Sequence, residues 1–340
     1  MADRGIELRF DGNRYSLWKN VGIRMTVDDL CASVAFTSAG IKNDLYMPMT
    51  ANTVIEVLLN DELVTTVRAD VLKRSIGKDN HDIQIEGRSL ARELVDCQIS
   101  RTLSGLKLEE IVKRLCSEFK VPVKVDTKTE VVPKFAMQAE CPANAIINAA
   151  RTSNLLLYPQ PDGGLILTKP SDAEAVATLE FGEHILNYSI VDEYKLRYSE
   201  YYVKAYDYDS DRGIRGRSKD AGITFHRPLH IIADRHASGV GSCERRALLE
   251  RNRRLARAHR LELEVFGWAH DSGIWQINTQ VRVIIPEEEI DEVYLIGELE
   301  FKEDGRNGRT TRLQVMHRSA FEGEEKKGRK RVVKKGQKNA

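Results

Sequence analysis

Carboxylates are densest in a short run after Pro286. Residues 287–289 are all glutamate, and Asp291 and Glu292 follow closely. A pair of carboxylates can hydrolyse a glycosidic bond when one of them is protonated and the other is charged. These acids lie in a predicted polar loop between strands, where water keeps all of them ionised. The run therefore predicts a solvated loop or a docking patch for basic partners, and it argues against a hydrolase centre.

Three histidines and one aspartate lie close together in the sequence, and imidazole with carboxylate is a ligand set that zinc accepts. They are His226, His230, His236 and Asp234. Pro228 lies between the first two histidines and disfavours the i, i+4 geometry that a helical H-E-x-x-H site needs. The segment therefore predicts a β-like strand with surface or hydrogen-bonded histidines, and no metal site.

Two glycines, Gly239 and Gly241, precede a predicted helix in the manner of a phosphate-binding loop. The third glycine of the dinucleotide fingerprint is missing, however, and no Walker lysine follows. The chain also lacks a G-x-S-x-G elbow and a cysteine in a nucleophile motif. We therefore predict no catalytic residue, no cofactor and no metal, and hence no enzyme.

The basic residues between Ser242 and Arg260 carry a stronger signal. This segment predicts a helix whose buried apolar stripe consists of Leu248, Leu249, Leu255 and Ala256. Another face, relieved by Glu250, holds five arginines that are the candidate protein–protein contact residues: Arg246, Arg253, Arg254, Arg257 and Arg260. Guanidinium groups can pair with carboxylates of an acidic neighbouring subunit, and they can equally neutralise DNA phosphates. Simple solvation is a third interpretation.

Charge is unevenly distributed along the chain. The total is +1, but residues 323–340 hold eight lysines and arginines against two glutamates, which leaves the rest of the chain at about −5. An acidic body favours subunit docking over DNA binding for the arginine face. The basic tail has no periodicity and no interleaved aromatics, so we expect it to be disordered when free and to contact a partner or aid solubility.

Composition indicates a folded protein that is made in the cytoplasm. Hydrophobic residues make up 41% of the 340 residues and charged residues 30%, which are ordinary globular values. Five scattered cysteines without a C-x-x-C pair argue against disulfides and favour a reducing compartment. The N-terminus lacks an apolar signal region, and no run of about 18 apolar residues occurs. We therefore expect no membrane insertion.

The first part of the chain has the periodicity of β-strands. Alternating apolar residues run from Ile6 to about Ile85, and turn residues at 11–13 and at 60–61 predict hairpins. Several short strands at close spacing indicate a barrel or a sandwich. Ser89 then interrupts the rhythm and is predicted to cap a short helix that contains Leu94.

Helical spacing replaces strand spacing in the middle of the chain. Residues 108–119 and 142–154 each predict a helix, and a turn at 161–164 separates two short strands. Strand spacing returns at Ala177, stops at a polar stretch after Tyr206, and resumes near Leu261. We interpret the interruption as an insertion into a second β-domain.

These patterns predict an α+β, mostly β fold, with two antiparallel β-barrel domains, a small α/β domain and a helix-bearing insertion. The predicted boundaries are 1–101 for the first barrel, 102–172 for the α/β domain, 173–207 with 261–322 for the second barrel, 208–260 for the insertion, and 323–340 for the basic tail.

Blocks of residues spread over most of the chain resemble one known family. They are Gly87-Arg88-Ser89, Leu94-Val95-Asp96-Cys97, Phe181-Gly182-Glu183 with Ile185-Leu186, Arg197-Tyr198-Ser199-Glu200-Tyr201 with Val203-Lys204, Arg227-Pro228 with Ile231-Ile232-Ala233-Asp234, and Glu244-Arg245-Arg246-Ala247 through Arg253-Arg254-Leu255. In order and spacing, the blocks resemble the baseplate hub proteins of Mu-type contractile-tail phages, which are similar to the N-terminal part of type VI secretion spike proteins.

The resemblance implies a structural protein of the virion tail baseplate, assembled in the host cytoplasm. Hubs of this kind carry two tail-tube-like β-barrels per subunit and form trimers, so three chains would present six barrels in a pseudo-six-fold ring. Such a ring would adapt the hexameric tail tube to the trimeric spike. The implied partners are two further copies of the chain, the tail tube protein, the tail spike protein and other baseplate proteins.

Two alternative functions stay open beside the structural one. The arginine face and the lysine-rich tail would suit a DNA-contacting protein, although the acidic body argues against it. An envelope hydrolase would suit a phage tail, although no hydrolase domain is recognisable. The lysine-rich tail lies outside the resemblance, so the resemblance assigns no role to it.

Overall fold

The computed structural model describes residues 5–16, 18–39, 50, 53–78, 81–207, 211–233, 241–305 and 308–321. Strands account for 54% of the structure and helices for 19%, which confirms the predicted α+β, mostly β class. Within these ranges, no helix combines the length and the apolar character that crossing a membrane requires.

The described elements follow one another in three groups. The first group holds β1 (Ile6–Phe10), β2 (Asn13–Tyr15), β3 (Asn20–Thr26), β4 (Ser33–Ala39), β5 (Val54–Leu59), β6 (Glu62–Ile76) and β7 (His81–Ser89). The second holds α1 (Arg92–Asp96), β8 (Ile99–Lys107), α2 (Leu108–Glu118), β9 (Val123–Val125), β10 (Val131–Glu140), α3 (Pro142–Thr152), β11 (Leu156–Pro159) and β12 (Leu165–Thr168). The third holds β13 (Ala177–Glu180), β14 (Ile185–Asp192), β15 (Glu200–Asp207), β16 (Arg212–Lys219), β17 (Pro228–Ile232), α4 (Gly241–Ala258), β18 (His259–Phe266), β19 (Ala269–His270), β20 (Gly273–Ile274), β21 (Gln280–Ile285), β22 (Ile290–Asp304) and β23 (Gly308–Met316), with 3-10 helices at Tyr194–Leu196, Pro286–Glu288 and Arg318–Phe321.

Strands from both ends of the described chain form one thirteen-stranded sheet. Its order is β14-β18-β23-β22-β3-β4-β7-β6-β5-β1-β2, and β21 pairs with both β22 and β13. The two ends meet at the antiparallel pair β22–β3, where Phe301 lies opposite Ile23 and Leu299 opposite Met25. These side chains are buried in one hydrophobic cluster, so the N-terminal and C-terminal strands share a core.

The strands of the two predicted barrels therefore form one continuous sheet, because buried residues of β3 lie opposite buried residues of β22. The pairings among the described strands form an open order, and no closed barrel is detected among them. The second predicted barrel also included residues 200–207, but β15 pairs with β16 and β17 in a separate three-stranded sheet. Val203 of β15 packs against Cys243 and Ala247 of α4, which draws this strand away from the large sheet.

Turn chemistry fixes the predicted hairpins. Asp11 follows β1, and Asn60 and Asp61 join β5 to β6, all three with the positive φ angles that tight turns require. Aspartate and asparagine tolerate this left-handed conformation better than most residues do. Both predicted hairpins are confirmed.

The predicted helices of the middle segment are present with a core of their own. Helix α2 buries Leu108, Ile111 and Leu115, and helix α3 buries Ile146 and Ala149, in a cluster separate from that of the large sheet. The spacing of these residues places them on one face of each helix. The strands β9, β12 and β11 form a small sheet in this segment, while β8 and β10 form a long antiparallel pair.

The predicted helix cap at Ser89 is wrong. Helix α1 begins at Arg92, whereas Ser89 is the last residue of β7. Its hydroxyl accepts a hydrogen bond from the backbone N–H of Ala32 at 3.2 Å and donates to the carbonyl of Leu30 at 3.4 Å. A neighbouring segment of the chain satisfies the hydroxyl, so it is not available to the helix.

Helix α4 packs its backbone directly onto strand β16. A Cβ placed on Gly216 would lie 2.2 Å from the carbonyl carbon and oxygen of Cys243, far inside van der Waals contact. A Cβ on Gly213, in the same strand, would meet no atom within 4 Å. Only glycine therefore fits at residue 216, since any larger residue would push the helix off the sheet.

We predict that Gly216→Ala lowers the free energy of unfolding by at least about 2 kcal/mol, because the added methyl group overpacks the helix–strand contact. Gly213→Ala is the matched control and should change it by less than about 0.5 kcal/mol. Denaturant unfolding of both variants measures the difference. Equal stability of the two variants would show that the helix does not rest on β16 at Gly216.

Candidate interaction surface at the arginine-rich helix

Helix α4 confirms the helix predicted from residue 242 to residue 260, ending two residues earlier. Its N-terminal half buries Cys243 and Ala247 against Val203 and Ile214 of the three-stranded sheet. It also contacts α3 and the 3-10 helix at Arg318–Phe321. The helix is thus covered on more than one side, so it buries residues outside the single apolar stripe that the sequence predicts.

The predicted apolar stripe is wrong at one position. Leu249 is buried, but Leu255 is 40% exposed, whereas Arg246 and Arg253 are each only 6% exposed. The projection placed these two arginines on the solvent side of the helix. They lie inside because partners on neighbouring elements cover that side and supply counter-charge.

Asp28, in the turn after β3, is the main counter-charge. One of its carboxylate oxygens accepts a hydrogen bond from Arg253, and the other accepts one from Arg257. Arg151 of α3 donates from Nη2 to the backbone carbonyl of Asp28 at 3.2 Å and approaches its Oδ1 at 3.4 Å. One aspartate therefore connects the large sheet, the α/β segment and helix α4.

Burial makes these guanidinium groups costly to keep charged. It lowers the pKa of Arg253, and the positive charges of Arg257 and Arg254 lower the pKa further. Burial likewise lowers the pKa values of Arg151 and Arg257. Arginine stays protonated in proteins nonetheless, so the stability of this region depends on the opposing carboxylate.

Glu250 balances the arginines on the other side of the helix. Its Oε1 accepts a hydrogen bond from Nε of Arg254 at 2.7 Å, and its Oε2 lies 3.4 Å from Nη2 of Arg246. The Arg254 guanidinium also lies 5.0 Å from the centre of the Tyr198 ring. Arg246 still has Nε and Nη1 without a hydrogen-bond partner among the described residues, and burial lowers its pKa.

Arg260 follows the helix and borders a polar cavity. Its Nη1 donates to Glu193 at 2.8 Å and its Nε donates to Glu262 at 3.1 Å. The cavity has a volume of about 490 Å³, and charged residues of both signs line it. They are Arg24, Asp28, Asp29, Glu193, Arg257, Arg260, Glu262, Glu298, Glu300 and Arg312.

The five predicted contact arginines therefore do not form one solvent face. Arg246 and Arg253 lie inside the protein, whereas Arg254, Arg257 and Arg260 are partly exposed and paired within the chain. Sequence reasoning missed Asp28 and Arg151, because a single aspartate in a turn and a single arginine on a helix carry no pattern. Contact of the arginines with a partner remains a prediction.

An apolar groove lies beside the exposed end of the helix. Leu255 at 40% exposure and Tyr194 at 63% exposure are among its lining residues, and its volume is about 380 Å³. Ile190, Ala256, Leu261 and Ile290 line it further. Exposed apolar surface of this kind is typical of sites where a protein binds another molecule.

The other residues that were considered for metal binding or catalysis do not form a site among the described residues. His226 and His230 belong to the segment around β17, and no group of metal-ligating side chains is found among the described residues. His236, Asp234 and Gly239 lie outside those residues. The first part of the acidic run forms a 3-10 turn at Pro286–Glu288, in agreement with the predicted loop between strands. The loop prediction is wrong for Asp291 and Glu292, which belong to β22, and Arg282 of β21 donates to Asp291 at 2.7 Å.

Three family models match the chain in succession. They describe the N-terminal domain of Mu phage baseplate assembly protein GpP-like proteins at residues 5–89, the second domain of gp44-like baseplate hub proteins at 91–169, and the fourth domain of Mu phage baseplate assembly protein GpP at 240–324.

Whole-chain relatives point in the same direction. Baseplate hub protein gp44 of Escherichia phage Mu is 24% identical, and the match covers 93% of this chain and 88% of gp44. The crystal structure of a 43 kDa tail protein of prophage MuSo2 from Shewanella oneidensis has a TM-score of 0.81 at 25% identity, covering 93% of this chain and 99% of that one. An Escherichia coli type VI secretion component, described as similar to the T4 tail proteins gp27 and gp5, has the same fold with a TM-score of 0.60 at 8% identity, covering 91% and 76% of the two chains.

The shared sheet and the succession of matched domains define this chain as a phage tail protein of the baseplate. It belongs to the family of Mu-type baseplate hub proteins and is thus a component of the virion tail. The resemblance of its sequence to that family is confirmed.

We predict that Asp28→Asn lowers the free energy of unfolding by about 3 kcal/mol, because it leaves buried guanidinium groups without their counter-charge. Asp291→Asn is the matched control, since it removes an aspartate–arginine pair at the surface and should change stability little. Thermal and denaturant unfolding compare the two variants. If Asp28→Asn were as stable as the control, the arginine cluster would not depend on Asp28.

Proposed function

We propose that this chain is a structural hub that assembles as a trimer and joins the tail tube to the spike in a contractile tail. The observation that carries the proposal is the large sheet, whose two halves come from residues 6–89 and 177–316 of one chain. If each half curls into a tube-like barrel, as the sequence predicts, three chains present six barrels. Such a ring matches a hexameric tube on one side and a trimeric spike on the other.

The names of the relatives support the proposal. Phage Mu gp44 is described as a baseplate hub protein, and the type VI component is described by its likeness to gp27 and gp5 of phage T4. One is thus named as a part of a phage baseplate and the other as a component of a secretion system. We propose the same role here, without catalysis, and we retain the predicted domain boundaries except that the insertion begins before β15.

The DNA-contacting alternative loses part of its basis. It relied on a continuous arginine face on α4, but Arg246 and Arg253 are buried and Arg257 is bound to Asp28. A buried guanidinium cannot reach a phosphate without breaking its ion pair. The lysine-rich tail, which lies outside the described residues, is the remaining basis for that alternative.

For the subunit contact, we propose the apolar groove beside Leu255. The exposed parts of Arg254, Arg257 and Arg260, which do not line the groove, are proposed as separate contact points. A closed ring uses two different surfaces of each subunit, and at least one of them must exclude water from apolar side chains. Arginine at the rim of an apolar contact is common in protein interfaces. The groove supplies the apolar part, and the arginine that lines it is Arg197, whereas Arg257 lines the polar cavity.

The purified protein is expected to be a trimer of 38.5 kDa subunits. Light scattering during gel filtration, repeated over a dilution series, measures its mass directly. At lower protein concentration, the average mass should fall towards that of the monomer because association depends on concentration. The subunits should stay folded. A monomer at every concentration, both alone and mixed with the spike protein, would overturn the ring proposal.

Leu255→Glu is expected to abolish or weaken the trimer, because it places a charge in a surface that association would bury. Val131→Glu is the matched control, since Val131 is 48% exposed on β10, away from the groove. Circular dichroism verifies folding, and light scattering gives the mass of each variant. A Leu255→Glu trimer of unchanged stability would exclude the groove as the subunit contact and leave the ring itself to the mass measurement.

A further inference from the structure

Helix α4 covers one face of the small sheet that β16, β15 and β17 form. Val203 and Ile214 point to the helix, whereas the opposite face carries cationic side chains on two neighbouring strands. These are Lys204 on β15 and Arg215, Arg217 and Lys219 on β16, all of them exposed. Because side chains alternate along strands, the four charges lie on the same outer face.

Two of these cations face each other. Lys204 and Arg215 are direct cross-strand neighbours, and neither has an ion-pair partner in the described part of the chain. Like charges at opposite positions destabilise a strand pair, so this arrangement costs stability in the isolated protein. Glu200 shares the face but is already bound by Arg217 and Lys219. The face therefore offers unneutralised positive charge to a ligand.

The aromatic ring nearest the cationic pair argues for a protein ligand over a nucleic acid, while Tyr206, on the same face, is bound through its hydroxyl to Asp211. The ring of Tyr202 stacks on His230 of β17 at 5.0 Å, and the guanidinium of Arg217 on β16 lies 5.4 Å from its centre. Strands β16 and β17 flank β15 on opposite sides, so both faces of the ring are occupied. Base stacking on single-stranded nucleic acids needs a free aromatic face.

Strand β17 adds an open edge. It pairs with β15 on one side, and no described strand lies on the other. The Arg227 carbonyl accepts from Ser199 at 2.9 Å and the Ala233 N–H donates to Lys204 at 2.8 Å, so the odd-numbered residues point their backbone groups towards β15. By alternation, the N–H and C=O groups of His230 and Ile232 point outwards.

One exposed apolar side chain lies on this strand, and another lies three residues before it in the sequence. Ile232 is 79% exposed and Phe225 is 62% exposed. An exposed edge with unpaired backbone groups accepts a further strand, and apolar side chains beside it give that strand something to pack against. The edge and the cationic face are continuous, because Ile232 lies directly across from Lys204.

We propose that the small sheet binds an extended acidic segment of a partner protein, which adds as a strand to β17 and pairs its carboxylates with Lys204 and Arg215. The chain's own tail is basic and would be repelled. Its own acidic run is already engaged, because Asp291 and Glu292 belong to β22, which pairs with β21, and Asp291 is bound to Arg282. The acidic strand therefore comes from a different protein. This inference does not depend on the ring.

The first test uses the full-length protein and fluorescent peptides of roughly eight residues, enough to span the strand. One peptide alternates glutamate with valine, a second alternates glutamine with valine, and an oligothymidylate is the nucleic-acid probe. We expect the glutamate peptide to bind at least about tenfold more tightly than both others, and to weaken when salt rises from about 50 mM to about 300 mM. Absence of peptide binding up to about 1 mM, or preference for the oligonucleotide, would overturn the proposal.

The second test separates charge from strand addition. Lys204→Glu with Arg215→Glu should weaken the glutamate peptide about tenfold or more, while Lys113→Glu with Arg114→Glu, on the exposed side of α2, should leave binding unchanged. Ile232→Pro removes an outward N–H and should weaken binding about tenfold, whereas Ile232→Ala keeps that N–H and should stay within about threefold. Equal binding by the two Ile232 variants, or full binding by the Lys204 and Arg215 double variant, would overturn the proposal. Thermal unfolding verifies that each variant is folded.

Discussion

The burial of arginine opposite a single carboxylate is the constraint on which the arrangement of this protein depends. Asp28 comes from the turn after β3, Arg151 from the α/β segment and Arg253 and Arg257 from the long helix. Each of these elements packs into a different hydrophobic core. Apolar packing tolerates small displacements, but a desolvated charge needs its partner at hydrogen-bond distance. The ion-pair cluster therefore joins the three cores at one point, and apolar residues such as Leu156 and Tyr158, which belong to the core of the large sheet, join them further.

The helix shows why a projection of one element could not predict this. Sequence patterning gave the bounds of α4 to within two residues, because helix-forming residues and an apolar stripe are local features. It assigned Leu255 to the interior and Arg253 to the surface, and the structure reverses both. The reversal depends on Asp28, which lies 225 residues away from Arg253 in the chain. Burial set by a distant counter-charge leaves no periodic signal in the helix.

The same contrast between local and long-range signals applies to the rest of the fold. Hairpins at Asp11 and at Asn60-Asp61, and helices α2 and α3, could be predicted because turn residues and helical spacing act over a few residues. The union of both ends of the chain in one sheet could not, since an antiparallel pair such as β3 and β22 shows in each strand only that one face is apolar. The open, cationic sheet around Lys204 was missed as well, because its charges belong to strands that become neighbours only in the fold.

The pairing of β3 with β22 has a consequence for folding. Arg24 and Glu298 bond across this pair although 274 residues separate them, so the pair closes a very large loop. During synthesis, β3 emerges early and keeps one edge unpaired until almost the whole described chain has been made. An unpaired apolar strand edge is a site of aggregation, and contacts of such long range form slowly. The unpaired edge of β3 is therefore exposed to aggregation for longer during synthesis than the edges of a protein built from sequential domains.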